Sequence, residues 1–261
     1  MQDVPRLKIQ ASLILYSRLS LHLSWGYNSY QMLEQELLLE KGLFFLLNGS
    51  DSPFWDSFFY LYSWKWTWIP LYLCFLFVFI YKKNWKEILC VLLAVGLAVL
   101  LCDQISSGLF KPYFQRFRPT HHPDFKDTVE VVLGYRGGRY GFISSHAANA
   151  FGFATFVCYL FRNRIFTCTF ILFAILNGYS RIYLGVHFIS DVVVGSMVGV
   201  IIGYVVYELY NLTRWKWLKR PRETLKQPVY SSRETYALCI SYSLMLILLL
   251  VLNNQLIIFF Q

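Results

Sequence analysis

Three short clusters in this chain carry the residue types of phosphate chemistry: Lys111-x6-Arg118-Pro119, Ser144-Ser145-His146, and Ser180-Arg181-x5-His187-x3-Asp191. They supply three cations, two imidazoles and one carboxylate. A phosphate monoester carries close to two negative charges. Arginine offers a planar fork for two of its oxygens, and lysine offers a point charge. Lys111, Arg118 and Arg181 together suit such a group, and Pro119 stiffens the chain after Arg118. For each cation taken alone, snorkelling to lipid headgroups or a bias on topology is the competing explanation.

His146 follows two serines at the expected start of a helix, where hydroxyls and free N–H groups favour an anion. A histidine alone at a helix end is commonly structural. Two of them beside phosphate-binding groups point to reaction. Asp191 lies four residues after His187. On a helix its carboxylate reaches the imidazole, fixes the tautomer and supports the cation formed during reaction. Asp191 could equally cap the following helix, and both roles are compatible. His121, His122 and Asp124 show no recurring ligand spacing, so neither a metal nor a cofactor is expected. Asp103, Ser107 and Lys111 recur every four residues, so one helical face leads toward the site. Asp103 reads as a support for that site or as a polar packing residue. The run from Tyr135 to Gly141 reads as a basic loop that contacts substrate or as an ordinary turn.

These residues must be held by something, and composition says what. Of 261 residues, 56% are hydrophobic and only 15% charged, with aromatics at 19%. A soluble domain carries about 25% charged residues. The deficit is concentrated in long apolar runs bordered by aromatics, which points to a bilayer. The net charge of +9 does not indicate nucleic acid, because the cations sit in short loops between apolar runs and no nucleic-acid motif accompanies them. Six cysteines fall in or beside apolar segments without close pairing and read as small core residues.

The expected fold class is all-α: an integral membrane bundle of about five to six transmembrane helices. Residues 1–31 read as an N-terminal extension that is a surface helix, a disordered tail or a misassigned start ahead of Met32, with no convincing signal peptide. Residues 32–65 hold an interfacial helix at about Leu33–Asn48, with a short first span as the alternative. Spans follow at about Trp66–Tyr81, Glu87–Phe110, Ser145–Phe161, Ile165–Tyr179 and Asp191–Tyr210. Residues 211–235 form a polar cytoplasmic linker, and a last span covers about Tyr236–Phe259. Lys82, Lys83, Lys86, Arg162, Arg164 and the cations from Arg214 to Arg222 all fall on one side. The positive-inside rule makes that side cytoplasmic. The three chemical clusters all fall on the other side, which is the periplasm in a bacterium.

With these motifs in place, the chain resembles the type 2 phosphatidic acid phosphatase superfamily, over about Trp66–Tyr210. That family's pattern is K-x6-R-P, P-S-G-H and S-R-x5-H-x3-D. The first and third are matched in full. In the second, Ile143 stands for Pro and Ser145 for Gly, while Ser144 and His146 are kept. A glycine there approaches phosphate without a Cβ; Ser145 must approach differently, and its hydroxyl can donate a hydrogen bond. The resemblance implies a metal-free mechanism. His187 attacks phosphorus and forms a phosphohistidine, Asp191 orients it, and His146 protonates the leaving oxygen. Lys111, Arg118, Arg181 and the Ser144–Ser145 backbone stabilise the transferring group.

The expected activity is hydrolysis of the phosphate or diphosphate of a membrane lipid: undecaprenyl diphosphate, lipid A phosphate or phosphatidylglycerophosphate. A lipid phosphotransferase with the same intermediate and a non-catalytic lipid-phosphate carrier are the alternatives. The pairing of His187 with Asp191 weighs against a carrier, since anion binding needs no nucleophile. The sequence does not fix an oligomeric state.

Overall fold

The computed structural model describes residues 31–35, 37 and 39–258. The expectations for residues 1–30 therefore lie outside the described residues. Helix α1 is helical at 31–35, 37 and 39–47. It is followed by α2 (Pro53–Ser63), a 3-10 turn (Lys65–Trp68), α3 (Ile69–Ile80) and α4 (Trp85–Asp103). A π-helical stretch, Gln104–Phe110, carries α4 into the short α5 (Lys111–Phe114). Then come α6 (Ser145–Phe161), α7 (Arg164–Tyr183), α8 (Ile189–Lys216) and α9 (Ser232–Ile258). The described chain is all-α, as expected, and it is an integral membrane protein.

Among the described residues, four rods are long and apolar enough to cross a bilayer: Trp85–Phe114, α7, α8 and α9, with 30, 20, 28 and 27 residues. At about 1.5 Å per residue, 20 residues already match the roughly 30 Å hydrocarbon layer. The longer rods run beyond the ends that hydropathy marks, because helical hydrogen bonding continues into the interfaces. Thus α8 reaches Lys216, and the span after Trp85 reaches Phe114, carrying Lys111 on a helix. Polar side chains fix the starts. Asn84 accepts from Lys86 N–H (2.9 Å), and Asn163 accepts from Phe166 N–H (3.1 Å).

The span expected at Trp66–Tyr81 is instead the second arm of a broken one. Pro53–Ser63 and Lys65–Ile80 meet at a 68° bend. Trp68 locks the corner: its indole N–H donates to the Tyr62 carbonyl (2.8 Å), and its ring is buried against Tyr62 and Phe173. The corner falls at the same membrane level as the site, so the break places Ser63 there.

Helix α6, 17 residues long, is the centre of the bundle. Ala147, Ala148, Ala154, Phe156, Val157 and Leu160 are fully buried. It lies unusually close to α8, where Gly195, Gly199 and Gly203 repeat every four residues. A Cβ on Gly199 would stand 2.3 Å from the Ala148 carbonyl oxygen, and one on Gly203 2.4 Å from that of Gly152. In lipid no hydrophobic effect joins two helices, so small residues that let backbones touch supply the attraction. The outer faces are apolar: Leu93 and Leu100 on α4 and Met197 and Ile201 on α8 are more than half exposed.

The basic loops meet at one end, as expected. Arg162 donates to the Tyr207 hydroxyl (2.7 Å), Lys83 lies 3.7 Å from Glu234, and Arg214 pairs with Glu87 (3.1 Å). The opposite end carries the loops from Gln115 to Ser144 and from Leu184 to Phe188. Helix α1 packs across those loops through Leu33, Leu37 and Phe44.

Candidate active site

The three clusters converge at this loop-covered end. His187 sits just before α8, in the turn after α7. Its imidazole is 1% exposed, and its Nδ1 lies 3.2 Å from Asp191 Oδ2. The same oxygen accepts from the Phe188 backbone N–H (3.1 Å). Asp191 is therefore the third residue of α8 reaching back to the helix start, and also the carboxylate that holds His187. The two roles read from the sequence coexist, with Phe188 rather than Asp191 at the cap position. With Nδ1 committed, Nε2 is the imidazole atom left for chemistry.

Helix α6 begins at the site. The Ser144 hydroxyl accepts from Ala147 N–H (3.4 Å), and its own N–H donates to the Asp191 carbonyl (3.0 Å). Of the expected Ser144–Ser145 backbone, the Ser144 N–H is thus already engaged. The N–H groups of Ser145 and His146 occupy the helix start, where no intrahelical acceptor exists. The Ser145 hydroxyl, at the position of the motif glycine, meets Lys111 Nζ (2.7 Å) and the Ser107 hydroxyl (3.0 Å). Lys111 also donates to Ser107 (3.1 Å), and Ser107 to Asp103 (3.4 Å). The Asp103–Ser107–Lys111 face does lead to the site, and Ser145 serves it by steadying Lys111. His146 exposes its ring into a groove between the helices and lies within electrostatic reach of Arg181, His187, Arg118 and Lys111.

Arg118 and Arg181 are buried, at 8% and 2% exposure. Arg118 is fixed by the carbonyls of Tyr140 (3.1 Å) and Val186 (3.2 Å). Arg181 donates to the Ser63 hydroxyl at the α2 corner and to the Tyr135 hydroxyl (3.1 Å). Among the described residues, none of Lys111, Arg118 and Arg181 forms an ion pair with a carboxylate. Burial and the neighbouring Arg181 push the Arg118 guanidinium down to about 10. Burial also holds the His187 imidazole well below the usual histidine range, with Arg118, Arg181 and Lys111 adding to the effect. Half-buried Tyr135 is drawn below the usual phenol range by Arg181 and Arg118. Uncompensated buried positive charge around a neutral imidazole is a pocket arranged for an anion.

Two residues of the site escaped the sequence reading. Arg116 is fully buried and joins Asp191 Oδ1 (2.9 Å) to Glu40 Oε1 (2.8 Å). Glu40, on α1, also accepts from the Ser190 N–H (2.8 Å) and hydroxyl (2.6 Å). Local backbone explains Arg116. Phe117 and Tyr140 form an antiparallel bridge, with Arg118 N–H to Arg139 O (3.0 Å) and Gly141 N–H to Arg116 O (2.9 Å). Side chains alternate in extended chain, so Arg116 and Arg118 both point inward while Phe117 points out beneath Arg139 (5.1 Å). Two-residue parity with Arg118 was the available signal. His122 meets Glu34 on α1 (3.0 Å), and His121 meets the Thr120 hydroxyl (3.1 Å), so these histidines tie down the covering loop.

From His146 the groove runs between α3 and α4 into the bilayer level, with a volume of about 670 Å³. Phe75, Leu92, Val95, Val99, Phe153 and Phe173 make most of its wall.

A family model described as the PAP2 superfamily matches residues 87–215. Lipid A 4'-phosphatase of Porphyromonas gingivalis is 47% identical over 186 residues, covering 71% of this chain and 79% of that protein. Lipid A 4'-phosphatase of Bacteroides thetaiotaomicron is 37% identical over 170 residues, covering 65% of this chain and 76% of that protein. Among solved structures, a transmembrane PAP2 type phosphatidylglycerolphosphate phosphatase from Bacillus subtilis is similar with a TM-score of 0.51. The likeness covers 72% of this chain and 93% of that one, and at 20% identity it is a likeness of fold.

Proposed function

The chain belongs to the PAP2 superfamily and is a membrane lipid phosphatase; we propose that it removes phosphate from a lipid A-type glycolipid through a phosphohistidine at His187. The observation that carries this reading is the set of Lys111, Arg118 and Arg181, the two arginines buried and none of the three paired with a carboxylate among the described residues, around an imidazole whose Nδ1 faces Asp191.

Lys111, Arg118, Arg181 and the N–H groups at the start of α6 receive the phosphate oxygens. His187 Nε2 attacks phosphorus while His146 gives its proton to the lipid oxygen. The N–P bond forms as the P–O bond breaks, and the lipid leaves as an alcohol. A water, deprotonated by His146, then attacks phosphorus, the N–P bond breaks and inorganic phosphate departs. The cations meet charge that grows on the equatorial oxygens, and they are fixed beforehand by hydroxyls and carbonyls. Asp191 supports the positive charge that His187 acquires, and Arg116 and Glu40 position Asp191. The groove beside His146 suits a substrate whose tail stays in the bilayer. The choice of lipid A phosphate rests on the names of the two similar phosphatases. The site faces the periplasm, a reading supported by the basic loops at the opposite end.

The test is phosphate release by purified protein against lipid A, phosphatidylglycerophosphate and undecaprenyl diphosphate, with His187→Ala as control. Lipid A is expected to be the best substrate and His187→Ala inactive. Normal turnover by His187→Ala would overturn the nucleophile. Release performed in 18O-water should place one label in each phosphate; phosphate passed to a second lipid with no labelled inorganic phosphate formed would mark a phosphotransferase.

A further inference from the structure

The groove that opens beside His146 is apolar along most of its length, yet two carboxamides stand in it. Asn149 lies three residues deeper along α6 than His146, and Asn177 four residues deeper along α7 than Arg181. At about 1.5 Å per residue, they sit roughly 4.5 and 6 Å below the groups that surround the phosphate site. Asn177 is 9% exposed, and Asn149 Oδ1 is buried with no hydrogen-bond partner among the described residues. Phe75, Phe153, Phe173 and Val95 line the same groove and cannot hydrogen-bond, and Tyr72 adds a hydroxyl to its wall. Polar side chains at membrane depth are costly and mark substrate paths, and an orphaned buried acceptor calls for a donor.

We propose that Asn149 and Asn177 form a subsite that reads an amide N–H or a hydroxyl lying one helical turn from the phosphate, so that the groove selects N-acylated sugar phosphates over polyisoprenoid phosphates. The proposal rests on the lipid phosphatase reading and names what that site recognises beyond phosphate. The orphan is an acceptor, so a ligand that offers only ester carbonyls leaves it unsatisfied. A polyisoprenoid chain, which is hydrocarbon from its first carbon onward, leaves both carboxamides unpaired. A pocket built to pair a polar group discriminates strongly against an analogue that lacks it, whereas an apolar pocket discriminates weakly. Ser63, also at the groove, is occupied by Arg181, so beside the Tyr72 hydroxyl the two carboxamides supply the amide contacts of the groove.

The experiment compares kcat/KM for phosphate release from two probes, a long-chain N-acylated glucosamine 4-phosphate and undecaprenyl phosphate, in the full-length parent and in Asn149→Leu and Asn177→Leu. The ratio of the first to the second is expected to fall about 10- to 100-fold in either variant, with the polyprenyl rate held or raised. A parallel fall on both probes, or an unchanged ratio, would overturn the subsite. Should leucine prevent folding, Asn149→Ala and Asn177→Ser read the same ratio, and Asn149→Gln should retain part of the preference. A parent that releases phosphate from neither probe overturns the lipid A-type substrate reading itself. An active parent with an unaltered ratio in the variants overturns the subsite alone.

Discussion

Arg116 and Asp191 form an ion pair in which both side chains are fully removed from solvent, while the second Asp191 oxygen faces His187. The carboxylate that orients the proposed nucleophile is therefore itself oriented. Replacing Asp191 by Asn keeps the shape and removes the charge. Loss of such a carboxylate costs roughly 10³- to 10⁴-fold in rate. Steady-state kinetics on Asp191→Asn should show that fall in kcat with KM nearly unchanged. A variant within threefold of the parent would remove Asp191 from the mechanism.

Arg116→Met strands Asp191 and Glu40 as neighbouring buried carboxylates. Breaking one side of a buried ion pair costs about 3–5 kcal/mol. Adding Glu40→Gln to Arg116→Met should recover part of the lost Tm, because one stranded charge is then gone. Additive losses in the double variant would show that Glu40 and Asp191 do not act through Arg116.

The folded His187 imidazole is held below its ordinary range, whereas the unfolded one titrates near 6.5. As pH falls, the unfolded chain takes up that proton first. The stabilisation is complete above about pH 6.5 and drains away below it, by up to about 1.4 kcal/mol per pH unit. His121 shifts in the same direction through burial and Arg118. Thermal melts of the parent from pH 7.5 to 5.0 should show a falling Tm, with a shallower fall in His187→Gln. Parallel slopes for the two proteins would contradict a neutral, buried His187.

Arg181→Lys keeps the charge but loses the fork that reaches Ser63 and Tyr135 together. A drop of about 10- to 100-fold in kcat/KM is expected, and Ser63→Ala should reproduce a smaller part of it. Unchanged kinetics in Arg181→Lys would mean that only a point charge is needed.

At the α6–α8 contact, Gly199→Val would drive a side chain into the Ala148 carbonyl. Overpacking of this kind costs about 1–3 kcal/mol or more, so Tm should fall by several degrees. Val200→Leu, one position along on a half-exposed face, should leave Tm where it is.

How much of this was legible in the sequence follows from range. Lys111, Ser144, His146, Arg181, His187 and Asp191 declare themselves because each stands at the end of an apolar run, and hydropathy alone puts those ends on one side. His187 and Asp191 are also neighbours on one turn of chain. The Glu40–Arg116 contact joins residues 76 positions apart, and no local periodicity reports it. A glutamate in a mixed helix looks like a solvated face until tertiary structure turns it inward. The break at Trp64 was hidden for a related reason: hydropathy sees one apolar stretch from Trp66 onward and is blind to the angle at which Pro53–Ser63 joins it. The four-residue glycine repeat on α8 was visible but carries meaning only opposite a partner helix.

The groove between α3 and α4 is walled by Phe75, Leu76, Leu92 and Val99, an opening suited to a lipid that arrives within the bilayer. Encounter with such an opening is a planar search, and the collision rate follows the mole fraction of substrate among surrounding amphiphiles instead of its molarity in the tube. Adding inert detergent at fixed enzyme and substrate should therefore slow turnover as a competitor would, though it binds nothing at the phosphate site.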